Sequence, residues 1–292
     1  MTNNLAIALA QVNPTVGDID GNLDLIRNVR DAVAQSADLI VVGELAVSGY
    51  PPEDLVLKRA FQDAIEVGVN KLAEETIDNG PGLLIGAPWR NGETLHNVAL
   101  ILDGGKITAV SSKFELPNYG VFDEKRVFVP GPLPGPIAFR GVRLGVLVCE
   151  DMWFPDVAEC LQESGAEILI VLNGSPFESD KPDNRLNPAV SRITETGLAL
   201  AYVNLVGGQD ELVFDGGSFV IGTDKRYKAK APSWIEHTML TQWSRIDDAW
   251  ECTETNIDTE TDASEAVYRA LVLGLRDYVS KNNFPGVLIG LS

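Results

Sequence analysis

Apolar residues follow two rhythms along this chain. Short unbroken runs read as strands buried on both faces: Leu5 to Val12, Asp38 to Val42, Gly82 to Pro88, Val142 to Val148, Glu167 to Leu172 and Leu198 to Val206. Elsewhere apolar positions fall three and four apart, the period of a helix with one buried side. Leu23, Ile26, Val29 and Val33 do so after Gly17-Asp18, and Leu55, Phe61, Ile65, Val69 and Leu72 predict a helix from about Glu53 to Ile77. Helices over about Phe154 to Ser164 and Arg185 to Thr196 are stopped by Gly165 and Gly197. Asn97 to Leu102 and Ile107 to Ser111 flank Asp103-Gly104-Gly105, a hairpin composition. Residues 114–136 read as a long loop whose aromatic content argues for function rather than disorder. Short strands around Leu212 to Phe214 and Ser218 to Ile221 precede a last strand, His237 to Ile246. Strands alternating with helices, with hairpins between, predict an α/β fold of mixed sheets covered by helices.

The pattern stops at 247. Asp247, Asp248, Glu251, Glu254, Asp258, Glu260 and Asp262 stand without a basic residue or apolar period, the composition of a linker over 247–262. Beyond it Val267, Leu271, Leu275 and Tyr278 share one helical face, and Val287 to Gly290 reads as a strand. This tail, 263–292, is expected to begin a second domain. With 292 residues, 45% of them hydrophobic, a large core is available. The net charge of −19 argues against nucleic acid and anionic membrane as partners. No apolar run is long enough to span a membrane, and no signal peptide is seen at the start. Three cysteines make no disulfide framework and point to a reducing cytoplasm.

Chemistry concentrates where apolar runs end. Cys149 follows Val142 to Val148, Glu44 follows Asp38 to Val42, and Lys113 follows the second hairpin strand. A thiol nucleophile needs a base or a nearby cation. The two histidines, His96 and His237, read as structural, which leaves a carboxylate as the base. Glu44, Lys113 and Cys149 together form such a set. Gly207-Gly208 reads as a tight turn, because no basic residue follows to make it a phosphate loop. Cys160 and Cys252 fit no metal spacing, and no metal site is expected.

The order and contexts of these three residues resemble the nitrilase, or carbon–nitrogen hydrolase, superfamily. The likeness narrows to the glutaminase domain of glutamine-dependent NAD synthetases. It is carried by Glu44-Leu45-Ala46-Val47-Ser48-Gly49-Tyr50-Pro51-Pro52, Lys113-Phe114-Glu115-Leu116-Pro117-Asn118-Tyr119, Cys149-Glu150-Asp151-Met152-Trp153, Asn173-Gly174-Ser175-Pro176-Phe177 and the run Tyr202 to Gly216. Gly43 stands where that pattern leads one to expect proline, and Glu178-Ser179-Asp180 replace a glycine-containing stretch. The resemblance covers about residues 5–246 and implies a four-layer α-β-β-α sandwich. It further implies Glu44 as general base, Cys149 as nucleophile, Lys113 as the oxyanion-side cation and Glu124 as a second active-site glutamate. Glutamine would be bound by Tyr119, Ser175 and Lys181, with Glu150 and Trp153 beside the nucleophile.

Val287-Leu288-Ile289-Gly290-Leu291-Ser292 resembles the strand entering the ATP loop of the synthetase domain, of which only the first serine, Ser292, is present. The glutaminase part is expected to need no cofactor. ATP with Mg and deamido-NAD (nicotinic acid adenine dinucleotide) would be used by the missing synthetase part, and a homo-oligomer is implied. Two other readings stay open: an amidase or nitrilase for another small amide, and a non-catalytic scaffold.

Overall fold

Strands at the centre of this protein are buried on both sides, and period-two alternation sends their side chains into two different cores. Ile7 and Leu9 enter one, Ala8 and Ala10 the other. The computed structural model describes residues 3–179, 183–247, 249–259 and 261–291. In order the elements are β1 (Asn4–Gln11), α1 (Ile19–Ala32), β2 (Leu39–Val42), α2 (Arg59–Glu75), β3 (Gly82–Asn91), β4 (Thr94–Asp103), β5 (Lys106–Ser112), β6 (Ile137–Phe139), β7 (Val142–Val148) and α3 (Pro155–Glu163). There follow β8 (Ile168–Leu172), α4 (Asp183–Thr196), β9 (Leu200–Val203), β10 (Val206–Gln209), β11 (Leu212–Asp215), β12 (Phe219–Ile221), β13 (Tyr227–Lys230), β14 (His237–Ile246), β15 (Ala249–Cys252) and α5 (Ala263–Lys281).

One sheet runs β15-β14-β1-β2-β3-β4-β5 and the other β13-β12-β9-β8-β7-β6. Leu39, Val41 and Leu84 of the first meet Val146, Ile168 and Ile170 of the second in a shared core. Leu23 and Ile26 of α1 and Val69 and Leu72 of α2 cover the outer face of the first sheet. Val157 and Leu161 of α3 and Ile193 of α4 cover the outer face of the second. The result is the expected four-layer α-β-β-α sandwich. β1, β2 and β3 are parallel, as are β7, β8 and β9, so their carboxyl ends gather on one rim.

Several expectations change. The helix predicted over 53–77 breaks at Lys58, whose extended backbone separates a 3₁₀ turn, Glu53–Leu57, from α2. The strand predicted from Leu198 to Val206 divides at Asn204, whose fully buried amide bonds Ser175 and Gly216 instead of continuing a ladder. Gly207-Gly208 is not a tight turn but part of β10, paired with β11. There a Cβ on Gly208 would lie 2.8 Å from Gly274 Cα, so the glycine lets α5 approach. The acidic stretch expected to be a linker contains β15, which pairs with β14, and Ile257 bridges to Lys230.

The apolar face expected on α5 is exposed: Val267 is 41%, Leu271 69%, Leu275 58% and Tyr278 48% accessible. The helix docks through Ala266, Ala270 and Leu273, together with Asp277. Close approach to the β10–β11 ribbon favours small side chains over the larger set. The strand expected at Val287 to Gly290 does not form; these residues are exposed and have no pairing strand among the described residues.

Candidate active site

The carboxyl ends of β2, β5, β7 and β8 converge. Gly43 follows β2, and a Cβ there would stand 2.6 Å from the Asn173 carbonyl oxygen after β8. That contact accounts for glycine where proline was expected. Glu44 N–H donates to the same carbonyl at 3.2 Å, and Leu45 turns the chain at φ 49°. Gly86 of β3 makes room for this turn, since a Cβ on it would lie 2.4 Å from Leu45 N.

The Glu44 carboxylate is fully buried. Lys113 Nζ donates to Glu44 Oε1 at 2.6 Å and to both Glu124 oxygens at 2.9 Å. Asn97 Nδ2 donates to Glu44 Oε1 at 2.7 Å, and Gly174 N–H to Oε2 at 3.1 Å. Tyr50 donates its hydroxyl to Glu124 at 3.2 Å. Two carboxylates thus share one ammonium in a dry site, where an unpaired charge would be costly. Burial raises the Glu124 carboxyl to about 7, against the opposing pull of Lys113. Burial alone would lower the Lys113 ammonium, but Glu124 and then Glu44 outweigh it and hold the group well above its ordinary range.

Cys149 sits at the end of β7 with φ 49°, a sharp turn for a residue bearing a Cβ. Burial, then the Glu44 charge, push its thiol well above the usual range, with Lys113 opposing. The resting group is therefore a thiol that needs a base. Asp151 clamps this turn. Its Oδ2 accepts from Val148 N–H at 2.9 Å, and its Oδ1 accepts from Phe114 and Glu115 N–H at 3.0 and 2.8 Å. The β7 end is thereby tied to the chain just after Lys113.

A cavity of about 400 Å³ opens over Cys149. Tyr119, Trp153 and Ser175 line it. Tyr119 donates its hydroxyl to Glu150, both oxygens at 3.0 Å, and burial raises the Glu150 carboxyl. Lys181 and Ser292 lie outside the described residues. His96 bonds the Val129 carbonyl and the Thr94 hydroxyl, a structural role. Among the described residues no cluster of three His, Cys, Asp or Glu side chains is placed to hold a metal. No described helix is long and apolar enough to cross a membrane.

Asn97, Tyr50 and Asp151 were not singled out from the sequence. Asn97 left a faint signal, a lone amide opening an otherwise apolar strand. Thr261, Ala263 and Ala266 at the start of α5 also line the cavity, a contact between distant parts of the chain that no local pattern announces.

The sandwich and its rim define an α-β-β-α fold of the nitrilase type. The chain belongs to the carbon-nitrogen hydrolase family, which matches residues 6–247. It is 41% identical, over its whole length, to a glutamine-dependent NAD(+) synthetase of Rhodobacter capsulatus, covering 53% of that protein. A homologue of the same description from Xylella fastidiosa (strain Temecula1 / ATCC 700964) is 38% identical, with 54% of it covered. The chain thus spans about half the length of the curated relatives it matches. The structure of glutamine-dependent NAD+ synthetase from Acinetobacter baumannii, in complex with ADP, superposes with TM-score 0.91 at 34% identity, over 97% of this chain and 53% of that one. An amidase mutant from Nesterenkonia sp. AN1, with acrylamide added at its active site cysteine, gives TM-score 0.71 at 28% identity, over 81% of this chain and 92% of that one.

Proposed function

We propose that this chain hydrolyses the side-chain amide of glutamine through a thioester on Cys149. The observation that carries the reading is the buried Glu44–Lys113–Glu124 cluster beside a cavity-facing cysteine. Glu44 takes the thiol proton, and the thiolate attacks the amide carbon. Lys113 and a backbone amide near Glu150 meet the oxyanion, where preorganised donors help most. As the carbon–nitrogen bond breaks, the proton held by Glu44 passes to nitrogen and ammonia leaves. Water then attacks the thioester, giving up its proton to Glu44, and glutamate departs as the thiol is restored. Glu124 shares the charge of Lys113 and holds it in place. Tyr119, Ser175, Glu150, Trp153 and Lys181 bind the amino-acid end. Asn97 and Gly174 fix the Glu44 carboxylate so that its proton transfers keep one geometry.

In this reading residues 1–246 are the glutaminase unit, 247–262 an acidic connection and 263–292 the approach to a synthetase domain. That domain would convert deamido-NAD to NAD with ATP and Mg, using the ammonia, and Ser292 would open its ATP loop. The likeness to synthetases about twice as long supports this arrangement. Three free cysteines suit the cytoplasm, and the exposed apolar face of α5 suits a homo-oligomer.

The test is ammonia release from glutamine by the purified chain and its Cys149→Ala variant, with mass spectrometry for a glutamyl adduct. Release and an adduct are expected from the parent alone. Equal release by the variant would overturn the role of Cys149, and preference for another small amide would favour a stand-alone amidase.

A further inference from the structure

Arg185, on α4, has no part in the cluster around Lys113, yet it lines the same cavity as Cys149. Its side chain is only 17% exposed and faces Asp215, with Nη1 2.8 Å from Oδ1 and 2.9 Å from Oδ2. The remaining donations go to one place. Nε donates to Ser175 Oγ at 3.1 Å, and Nη2 donates to the carbonyls of Ser175 and Pro176 at 2.8 and 3.0 Å. Asn204 holds the same residue from the other side, accepting from Ser175 N–H at 2.9 Å.

A guanidinium can only donate, so Ser175 Oγ is an acceptor towards Arg185 and its single hydrogen must point elsewhere. Ser175 lines the cavity, so that hydrogen can meet a ligand there. The oxygen that suits a donor polarised by a cation is anionic. Tyr119, also on the cavity wall, and the Glu150 carboxylate that it bonds offer the opposite preference, for a cation. An α-amino acid has one charge of each sign to match these two sides.

We propose that Arg185 is a positioning residue that turns the Ser175 hydroxyl towards the α-carboxylate of the amino-acid substrate. The inference rests on the glutamine reading above. Asp215 neutralises the guanidinium, so Arg185 acts through the serine rather than as a free charge. Lysine cannot replace it, because only the planar fork reaches the hydroxyl, two carbonyls and a carboxylate at once.

The test is titration calorimetry in the Cys149→Ala background, with glutamine and with 4-aminobutanamide, which is glutamine without its carboxylate. Arg185→Gln is expected to weaken glutamine binding by about tenfold or more, the size of a lost charge-assisted hydrogen bond. It should leave 4-aminobutanamide within about twofold and add little once Ser175 is alanine, as coupled groups do. Unchanged glutamine affinity, equal loss for both ligands, or full additivity with Ser175→Ala would overturn the proposal. Should Arg185→Gln fail to fold, Arg185→Lys keeps the charge opposite Asp215 and must show the same pattern. A parent that binds no glutamine would overturn the glutamine reading itself, an outcome distinct from a parent that binds it and variants that fail the pattern.

Discussion

Asp151 accepts a hydrogen bond from the backbone of Phe114 at 3.0 Å, and this fastens the Cys149 turn to the strand end that presents Lys113. The carboxylate also accepts from Glu115 and Val148, so its removal strands three N–H groups. Asp151→Ala should cost about 2–4 kcal/mol, since lost partners for enclosed donors are expensive. Among molecules that stay folded, ammonia release should fall by about tenfold or more, because the thiol and Lys113 lose their fixed relation. Denaturant unfolding and steady-state assays check the two parts. A variant as stable and as active as the parent would remove Asp151 from the account.

Lys113 separates two buried carboxylates, and nothing else described there carries positive charge to them. Lys113→Met should lose about 3–5 kcal/mol, the cost of leaving buried charge without its partner. Adding Glu124→Gln removes one of the two negative charges and should restore part of that loss, although ammonia release stays absent in both. Unfolding curves of the two variants, compared at one pH, decide whether the ion cluster or mere side-chain volume matters.

Burial raises the Glu124 carboxyl from 4.5 to about 7. Between those values the folded chain keeps a proton that the unfolded chain has released, so this group's contribution to stability falls as pH rises through the window. Asp151, raised to about 6 by burial, acts in the same direction. Glu124→Gln should therefore lose less stability than the parent between pH 5 and 8. Unfolding free energies at several pH values across that range measure the difference, and a steeper fall in the variant would contradict the assignment.

Asp277 is 3% exposed and receives Asn13 Nδ2 and Gly208 N–H, each at 2.8 Å. Lys281 adds donations to the carbonyls of Pro14 and Gly208 at 2.9 Å. These bonds hold α5, whose first turn walls the cavity. Asp277→Ala should weaken this docking by about 1–3 kcal/mol. Hydrogen exchange should then quicken across residues 266–279 and change little in β1 and β2. Uniform loss of protection would mean global destabilisation instead.

Gly86→Ala should disturb the site without altering any of its polar side chains. Its Cβ would stand 2.6 Å from the Gly43 carbonyl and 2.7 Å from Glu44 Cα, so the Glu44 turn must move. Activity should drop more than stability, which overpacking lowers by about 1–3 kcal/mol. Paired activity and unfolding measurements separate the two.

The layers of this protein were readable because each depends on local periodicity. Runs such as Leu39 to Val42 can only be interior strands, and the spacing in α1 presents one apolar side. The rim positions of Glu44, Lys113 and Cys149 were readable for a related reason: charged or reactive residues directly after apolar runs are carried to the rim by the strands themselves. Breaks within elements were harder. Lys58 and Asn204 look ordinary in sequence, and what interrupts each element is a tertiary contact or turn.

The chain alone therefore determined the α/β sandwich, the ends from which its chemistry projects and the family likeness of its motifs. Tertiary structure decided which polar residues gather around those ends. Asn97, Asp151 and Arg185 bond groups 53, 37 and 10 positions away, and hydrogen bonds across such separations leave no period to read. It also decided which face of α5 is buried. Hydrophobicity favoured Leu271 and Leu275, but the close approach of Gly208 to Gly274 admits only the smaller side, with Asp277 satisfied by the body it meets. Burial follows fit and hydrogen bonding at a particular surface, and that surface exists only once the chain has folded.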